Sequence, residues 1–181
     1  MRPGPISRTK HGAGRNHRFT EDGLWYCTSC HHLYDAECDA FFRARKFIGT
    51  DIGCGTGILG IYAANRNSIE VGAYDFDEWS VANTIENAGL NSVDKLEVWL
   101  GDVDSIPKRT YDYILANINL NTLRDQLESY LKHLNPNGLI LMSGVLATDR
   151  KALQELAQAL NLKLVSEQTR ENWLQQTYGW N

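Results

Sequence analysis

The sequence predicts an α/β fold built on a mostly parallel sheet with helices on both faces, and two observations carry that prediction. From about residue 47, short apolar runs alternate with segments of helical period, the pattern that parallel strands joined by crossover helices require. The first run ends at Asp51-Ile52 and passes through three alternating glycines, Gly53, Gly55 and Gly57, straight into a helical stripe. With 181 residues, 43% of them hydrophobic, the chain can bury one substantial core.

Strands are expected at 47–52, 69–75, 95–100, 111–116, 139–143 and 162–166. After the first, the glycines describe a tight strand-to-helix turn, with Ile58, Ile61 and Tyr62 at helical spacing. Side chains there would block a ligand, whereas glycine lets the backbone approach it and adopt positive φ. The helix amino terminus adds unpaired N–H groups that suit a carboxylate or phosphate. The second strand ends in Asp75, placed where a carboxylate can accept both hydroxyls of a ribose, while Asp77 suits the cap of the next helix better. Gly101-Asp102 follows the third strand, where a carboxylate can accept from an adenine amino group, and Ala116-Asn117-Ile118-Asn119 brings amides to the same rim after the fourth. Beyond Asn119, Leu120, Leu123, Leu127, Tyr130, Leu131 and Leu134 recur at three- and four-residue spacing, and Asn135-Pro136-Asn137-Gly138 is expected to close that helix. Over 149–160, Leu153, Leu156, Ala157 and Leu160 repeat the design. Right-handed crossovers then put the carboxyl ends of the strands on one edge, where open α/β sheets bind ligands.

Gly55-x-Gly57-x-x-Gly60 is also the dinucleotide fingerprint, so the loop alone does not choose between NAD and another nucleoside cofactor. A dehydrogenase has no particular need for an acid after strand three and an amide after strand four. Eighteen basic against 22 acidic side chains give a net charge of -4, against direct nucleic-acid binding, which draws on a basic surplus. No run of about 18 apolar residues exists, and the first thirty residues lack a signal-peptide core, so a cytoplasmic protein without membrane association is expected. Cys27, Cys30, Cys38 and Cys54 make no disulfide framework, which fits a reducing compartment.

The stretches Asp51-Ile-Gly-Cys-Gly-Thr-Gly57, Tyr74-Asp-Phe-Asp-Glu-Trp79, Asn83-Thr-Ile-Glu-Asn87, Gly101-Asp102, Leu115-Ala-Asn-Ile-Asn119 and Leu134-Asn-Pro-Asn-Gly138 resemble class I S-adenosylmethionine-dependent methyltransferases. The combination, with Ser143-Gly144-Val145-Leu146, is most similar to the ribosomal protein L11 methyltransferase family, over about residues 48–170. That resemblance implies a Rossmann-like, seven-stranded sheet whose last strand is antiparallel, and S-adenosylmethionine as cofactor. It also implies that Asp51, Gly53, Gly55 and Gly57 line the methionine and ribose portion, Asp75 the ribose hydroxyls, Phe76 and Asp102 the adenine, and Asn117 the methyl-transfer site as the catalytic residue. The Asn-Pro-Pro-aromatic form used on amide nitrogens and adenine bases is missing, which lowers those readings and favours amines of a ribosomal protein. No metal is implied. An NAD-linked oxidoreductase and a catalytically inactive nucleoside-binding fold are the alternatives.

Residues 1–46 depart from the family, whose enzymes carry there a phenylalanine-glycine-threonine-glycine stretch, two histidines and a pair of threonines. Residues 20–37, back-translated and read one nucleotide later under allowed codons, spell P-K-M-V-F-G-T-A-H-H-A-T-T-F-M-M-L, close to the missing stretch. The expectation is an out-of-frame, poorly ordered segment over 1–46 and a cofactor-binding domain over 47–181. Cys27-x-x-Cys30 followed by His31 and His32 then reads as accidental juxtaposition ahead of a zinc or haem site. The family's additional substrate-gripping domain is matched by no segment here, so an L11-like partner is expected to be held weakly. Trp99 and Trp173 are expected to pack, Cys54 to fill space, and the polar stretch 172–180 to pair poorly as a final strand.

Overall fold

The structure is a computed structural model that describes residues 18–19, 25–26, 46–66 and 68–181. Two short strands, β1 (Arg18–Phe19) and β2 (Trp25–Tyr26), form an antiparallel pair. Then follow β3 (Phe47–Ile52), α1 (Ile58–Ala64), β4 (Ser68–Asp75), α2 (Glu78–Leu90), β5 (Leu96–Leu100) and a 3-10 turn (Val103–Ser105). The chain continues through β6 (Tyr111–Asn117), α3 (Leu120–Leu131), β7 (Leu134–Leu146), α4 (Arg150–Ala159), β8 (Leu162–Arg170) and β9 (Trp173–Trp180). Seven strands form one sheet in the order β5-β4-β3-β6-β7-β9-β8. Strands β3 to β7 pair in parallel, and β9 runs antiparallel to both its neighbours, as the family resemblance implies.

Each face of the sheet has its own core. On one, Leu123 and Leu127 of α3 and Leu153 and Ala157 of α4 bury their stripes against Ile114, Ile140 and Met142. On the other, Ile58, Leu59 and Ala63 of α1 pack on Phe47, Val71 and Leu141. Full burial of such side chains is worth about 1.5–3 kcal/mol each, so the two apolar stripes fix which way every crossover lies. Trp99 packs as expected: its ring stacks on Tyr74 at 6.0 Å between centroids, filling the space that a Cβ on Gly72 would occupy.

Two expectations are corrected. Asn135-Pro136-Asn137-Gly138 does not close a helix; α3 ends at Leu131, and the stretch opens β7, where Leu134 already pairs with Tyr111. Its polar groups are satisfied across the sheet: the Asn135 amide donates to Asp112 Oδ1 at 2.9 Å, and the Trp180 indole donates to the Asn135 carbonyl at 3.1 Å. Nor does the polar carboxyl end pair poorly. β9 lies between β7 and β8, and its buried Gln176 donates from Nε2 to Glu167 and accepts from the Tyr178 hydroxyl at 2.8 Å. Arg150 of α4 pairs with the same Glu167 at 3.0 Å. On this strand a polar network around Gln176 lies beside the buried apolar side chains of Leu174 and Tyr178.

The Cys27–Cys30 pair lies outside the described residues, as does 1–46 apart from residues 18–19, 25–26 and 46. No described helix is long and apolar enough to cross a membrane, and no three His, Cys, Asp or Glu among the described residues are placed to hold a metal ion.

Candidate functional site

Chain reversal after β3 depends on glycine. Gly53, Gly55 and Gly57 stand at φ of 65°, 57° and 76°, a region that costs other residues about 1–2 kcal/mol. Gly53 and Cys54 donate their N–H groups to the Tyr74 carbonyl at 3.0 Å each, and Gly57 N–H donates to the Cys54 carbonyl at 2.7 Å. Helix α2 braces the loop from the other side. Thr84, fully buried, donates from Oγ1 to the Gly55 carbonyl at 3.2 Å, and the Asn87 amide donates to the Thr56 carbonyl at 2.8 Å. A Cβ on Gly57 would stand 2.6 Å from Thr84 Cγ2, so the helix and the loop touch with no room between them.

Asp51 sits beneath this loop. It is 1% exposed, and its Oδ2 accepts the Gly60 N–H of α1 at 2.8 Å. Burial pushes its carboxyl up to about 7; the Gly60 N–H opposes the shift and the Asp75 charge adds to it. Cys54 is buried beside it, and burial together with Asp51 and Asp75 pushes the thiol up to about 12 against the opposing Thr84 hydroxyl, 3.3 Å from Sγ. Such a thiol is neutral and poorly nucleophilic, the space-filling role expected of it.

Above the loop, the strand tips close a cleft of about 430 Å³, within the range of small-molecule sites. β3 contributes Ile52 and Gly53, β4 contributes Tyr74, Asp75 and Phe76, and the turn after β5 contributes Asp102 and Val103. Asn117, Ile118 and Asn119 follow from the end of β6, and Thr122, Gln126 and Tyr130 from α3. Asp75 is locked in place, with Oδ2 accepting from Gly55 N–H at 2.9 Å and Oδ1 from Asp77 N–H at 3.0 Å, so each oxygen keeps further acceptor capacity. Asp102 caps the 3-10 turn: its Oδ1 accepts from Asp104 N–H at 3.1 Å and from the Ser105 hydroxyl at 3.0 Å. Asn117 is held through Oδ1, which accepts the hydroxyl of buried Ser143 at 3.1 Å. Gly144, at φ 78°, leaves the space that this carbonyl oxygen occupies, since a Cβ there would approach it to 2.8 Å.

The cleft therefore brings together Gly53, Asp75, Phe76, Asp102 and Asn117 from four successive strand ends. Asp51, Gly55 and Gly57 are not among its lining residues; they shape the loop from below and behind. Phe76 stands on the rim, 83% exposed. The sequence points to no site role for Thr84 and Asn87, although the Asn83–Asn87 block is visible in it, nor for Ile118, Thr122 or Gln126, and it places Tyr130 only in the apolar helix stripe. A helix stripe read only as core conceals its polar members, and Thr122 and Gln126 lie beside the Leu120–Leu131 stripe.

Strand order, one antiparallel strand next to the edge, a glycine turn after β3 and acids at the next two strand tips define the class I methyltransferase fold. The chain belongs to the ribosomal protein L11 methyltransferase (PrmA) family, whose profile matches residues 36–178. A curated member from Porphyromonas gingivalis, named ribosomal protein L11 methyltransferase, is 40% identical over 124 residues, 68% of this chain and 43% of that protein. A Campylobacter jejuni protein of the same name is 32% identical over 153 residues, 83% of this chain and 53% of its own length. The chain thus spans about half the length of these relatives. Among solved structures, the ribosomal protein L11 methylase of Lactobacillus delbrueckii subsp. bulgaricus superposes with a TM-score of 0.71 at 23% identity, over 75% of this chain and 70% of that one. The M. jannaschii tRNA m1G37 methyltransferase gives the same score at 16% identity, over 95% and 60%. At such identities the two structures attest the fold.

Proposed function

We propose that this chain is an S-adenosylmethionine-dependent methyltransferase that acts in the cytoplasm on amino groups of an L11-like ribosomal protein. The observation that carries the reading is a cleft whose lining includes Asp75, Asp102 and Asn117 together with Gly53 of the glycine turn. The residues fit the cofactor: Gly53 lines the cleft at a positive φ that glycine adopts without strain, Asp75 offers spare acceptor capacity for two hydroxyls, and Asp102 retains an oxygen outside the turn it caps. When bound, the sulfonium supplies an electrophilic methyl group without a metal.

The chain's own task is positioning and desolvation. A lysine acceptor, with an ordinary pKa near 10.4, costs about 4–5 kcal/mol to deprotonate at pH 7. Asn117 contributes a carbonyl oxygen that Ser143 holds in a fixed direction, able to accept a hydrogen of the incoming amine and orient its lone pair. The apolar side chains of the cleft, Ile52, Val103 and Ile118, disfavour the charged ammonium by desolvation.

Calorimetry with S-adenosylhomocysteine tests the cofactor half: binding to the wild type, lost or much weakened in Asp75→Asn, is expected. Quenching by NADH without any S-adenosylhomocysteine binding would support the oxidoreductase alternative, and binding of neither the inactive fold. For the acceptor half, Asn117→Ala should abolish methyl transfer to purified L11 while keeping the cofactor bound; full transfer by that variant would remove Asn117 from its role. The out-of-frame origin of residues 1–46 stands beside this as a separate proposal, opposed over its last part by a family match that begins at residue 36, and the coding DNA decides it.

A further inference from the structure

The end of the cleft formed by α3 and β4 is polar in a way that neither the glycine loop nor Asn117 accounts for. Gln126 and Tyr130, one helical turn apart on α3, line it together with Tyr74 and Asp102. Tyr130 is 1% exposed, and its hydroxyl donates to Gln126 Oε1. Burial pushes that phenol up to about 12, so it keeps its proton through the neutral range and engages the amide by its oxygen. A glutamine amide carries its acceptor on one side and its two donors on the other. Tying Oε1 to Tyr130 therefore leaves Nε2 as a donor with no partner among the described residues.

Tyr74 supplies an independent sign of a missing ligand. It is 4% exposed, and its hydroxyl has no hydrogen-bond partner among the described residues, a condition that buried polar atoms rarely keep. Its phenol is pushed well up by burial first, then by Tyr130, Tyr111, Asp51 and Asp102, which places it in one electrostatic neighbourhood with Tyr130 and Asp102.

This end of the cleft thus presents an acceptor, Asp102, with donors at Gln126 Nε2 and Tyr74 Oη. An adenine edge is the complement: a donating amino group flanked by accepting ring nitrogens, N1 on one side and N7 on the other. Guanine or hypoxanthine would instead set a carbonyl oxygen against the Asp102 carboxylate. Resting on the cofactor reading above, we propose that Gln126 reads an adenine ring nitrogen beside Asp102, with Tyr130 as the positioning residue that fixes its amide. Gln126 is then a determinant of base selectivity, and α3 a second wall of the nucleoside site.

The test is calorimetry on the whole chain with S-adenosylhomocysteine and its 1-deaza and 7-deaza analogues, in the wild type, Gln126→Leu and Tyr130→Phe. The wild type should bind one of the two analogues about five- to tenfold more weakly than the parent, the worth of one hydrogen bond. Gln126→Leu should bind the parent more weakly by a similar factor and lose that discrimination. Tyr130→Phe, which keeps the ring and its packing, should lose most of the discrimination as well. Gln126→Glu, which replaces the donor by an acceptor, guards against a folding defect in the leucine variant and should weaken the parent at least as much. Undiminished discrimination in folded Gln126→Leu, or none in the wild type, overturns the inference while leaving the cofactor reading intact. Failure of the wild type to bind S-adenosylhomocysteine at all overturns both.

Discussion

Asp51→Asn should make the protein more stable, by an amount that grows with pH. The carboxyl has an ordinary value of 3.8 and is pushed up to about 7 in the folded chain. The unfolded chain therefore releases this proton first, and between those two values the folded state binds more protons than the unfolded one. Stability from protonated Asp51 is fully present below the unfolded value and is lost as pH rises through the folded one. With each pKa unit worth 1.36 kcal/mol, a gap of roughly three units sets a ceiling of about 4 kcal/mol. Integrated between pH 5 and pH 8, the loss is about 2–3 kcal/mol. Asparagine keeps an oxygen to accept the Gly60 N–H at this buried position and carries no charge to desolvate. Urea titrations of both proteins at intervals from pH 5 to pH 8.5 measure the difference directly. Asp51→Asn should gain on the wild type by about 2–3 kcal/mol over that range, with the change complete near pH 8. Curves that run parallel would refute the reasoning, since they would mean that the buried carboxylate ionises in the folded chain as readily as in water.

Other outcomes follow from the same geometry. Gly57→Ala combines left-handed strain with the 2.6 Å approach to Thr84 and should cost about 2–4 kcal/mol in urea unfolding, part of it recovered by adding Thr84→Ala. Gly144→Ala would drive a methyl group against Asn117 Oδ1, so methyl transfer should fall much further than S-adenosylhomocysteine affinity. Cys54, neutral and buried, should resist iodoacetamide at pH 8 in the folded protein and react in denaturant, read by mass spectrometry of its peptide. Gln176→Leu leaves the buried Tyr178 hydroxyl without its acceptor and removes one donor from Glu167, which keeps Arg150, and should destabilise by about 1–3 kcal/mol in thermal or urea unfolding.

What was legible in the sequence was whatever repeats locally. The apolar runs of β3 and β6 and the stripe of Leu120, Leu123 and Leu127 announce themselves within a few residues, and so do the glycines that must turn. That Asp75 and Asp102 share one cleft could be expected because strand tips share one edge in any right-handed parallel sheet. What stayed hidden depends on partners far along the chain. Asn135-Pro-Asn-Gly looks like a helix stop until Asp112 and Trp180 are seen to satisfy it. The glutamines of β9 look like a weak strand until Glu167, Arg150 and Tyr178 close around Gln176. Thr84 and Asn87 reach a loop some thirty residues upstream, and nothing in their own helix signals that reach.

The seat of β9 between β7 and β8 has a consequence for synthesis. β8 touches the rest of the sheet only through the strand made after it, so it must wait unpaired as it leaves the ribosome. Until residues 173–180 emerge and pair with both β7 and β8, β7 presents a bare edge to solvent. A nascent chain stalled before that point would be a target for chaperones, and a clipped one for proteases.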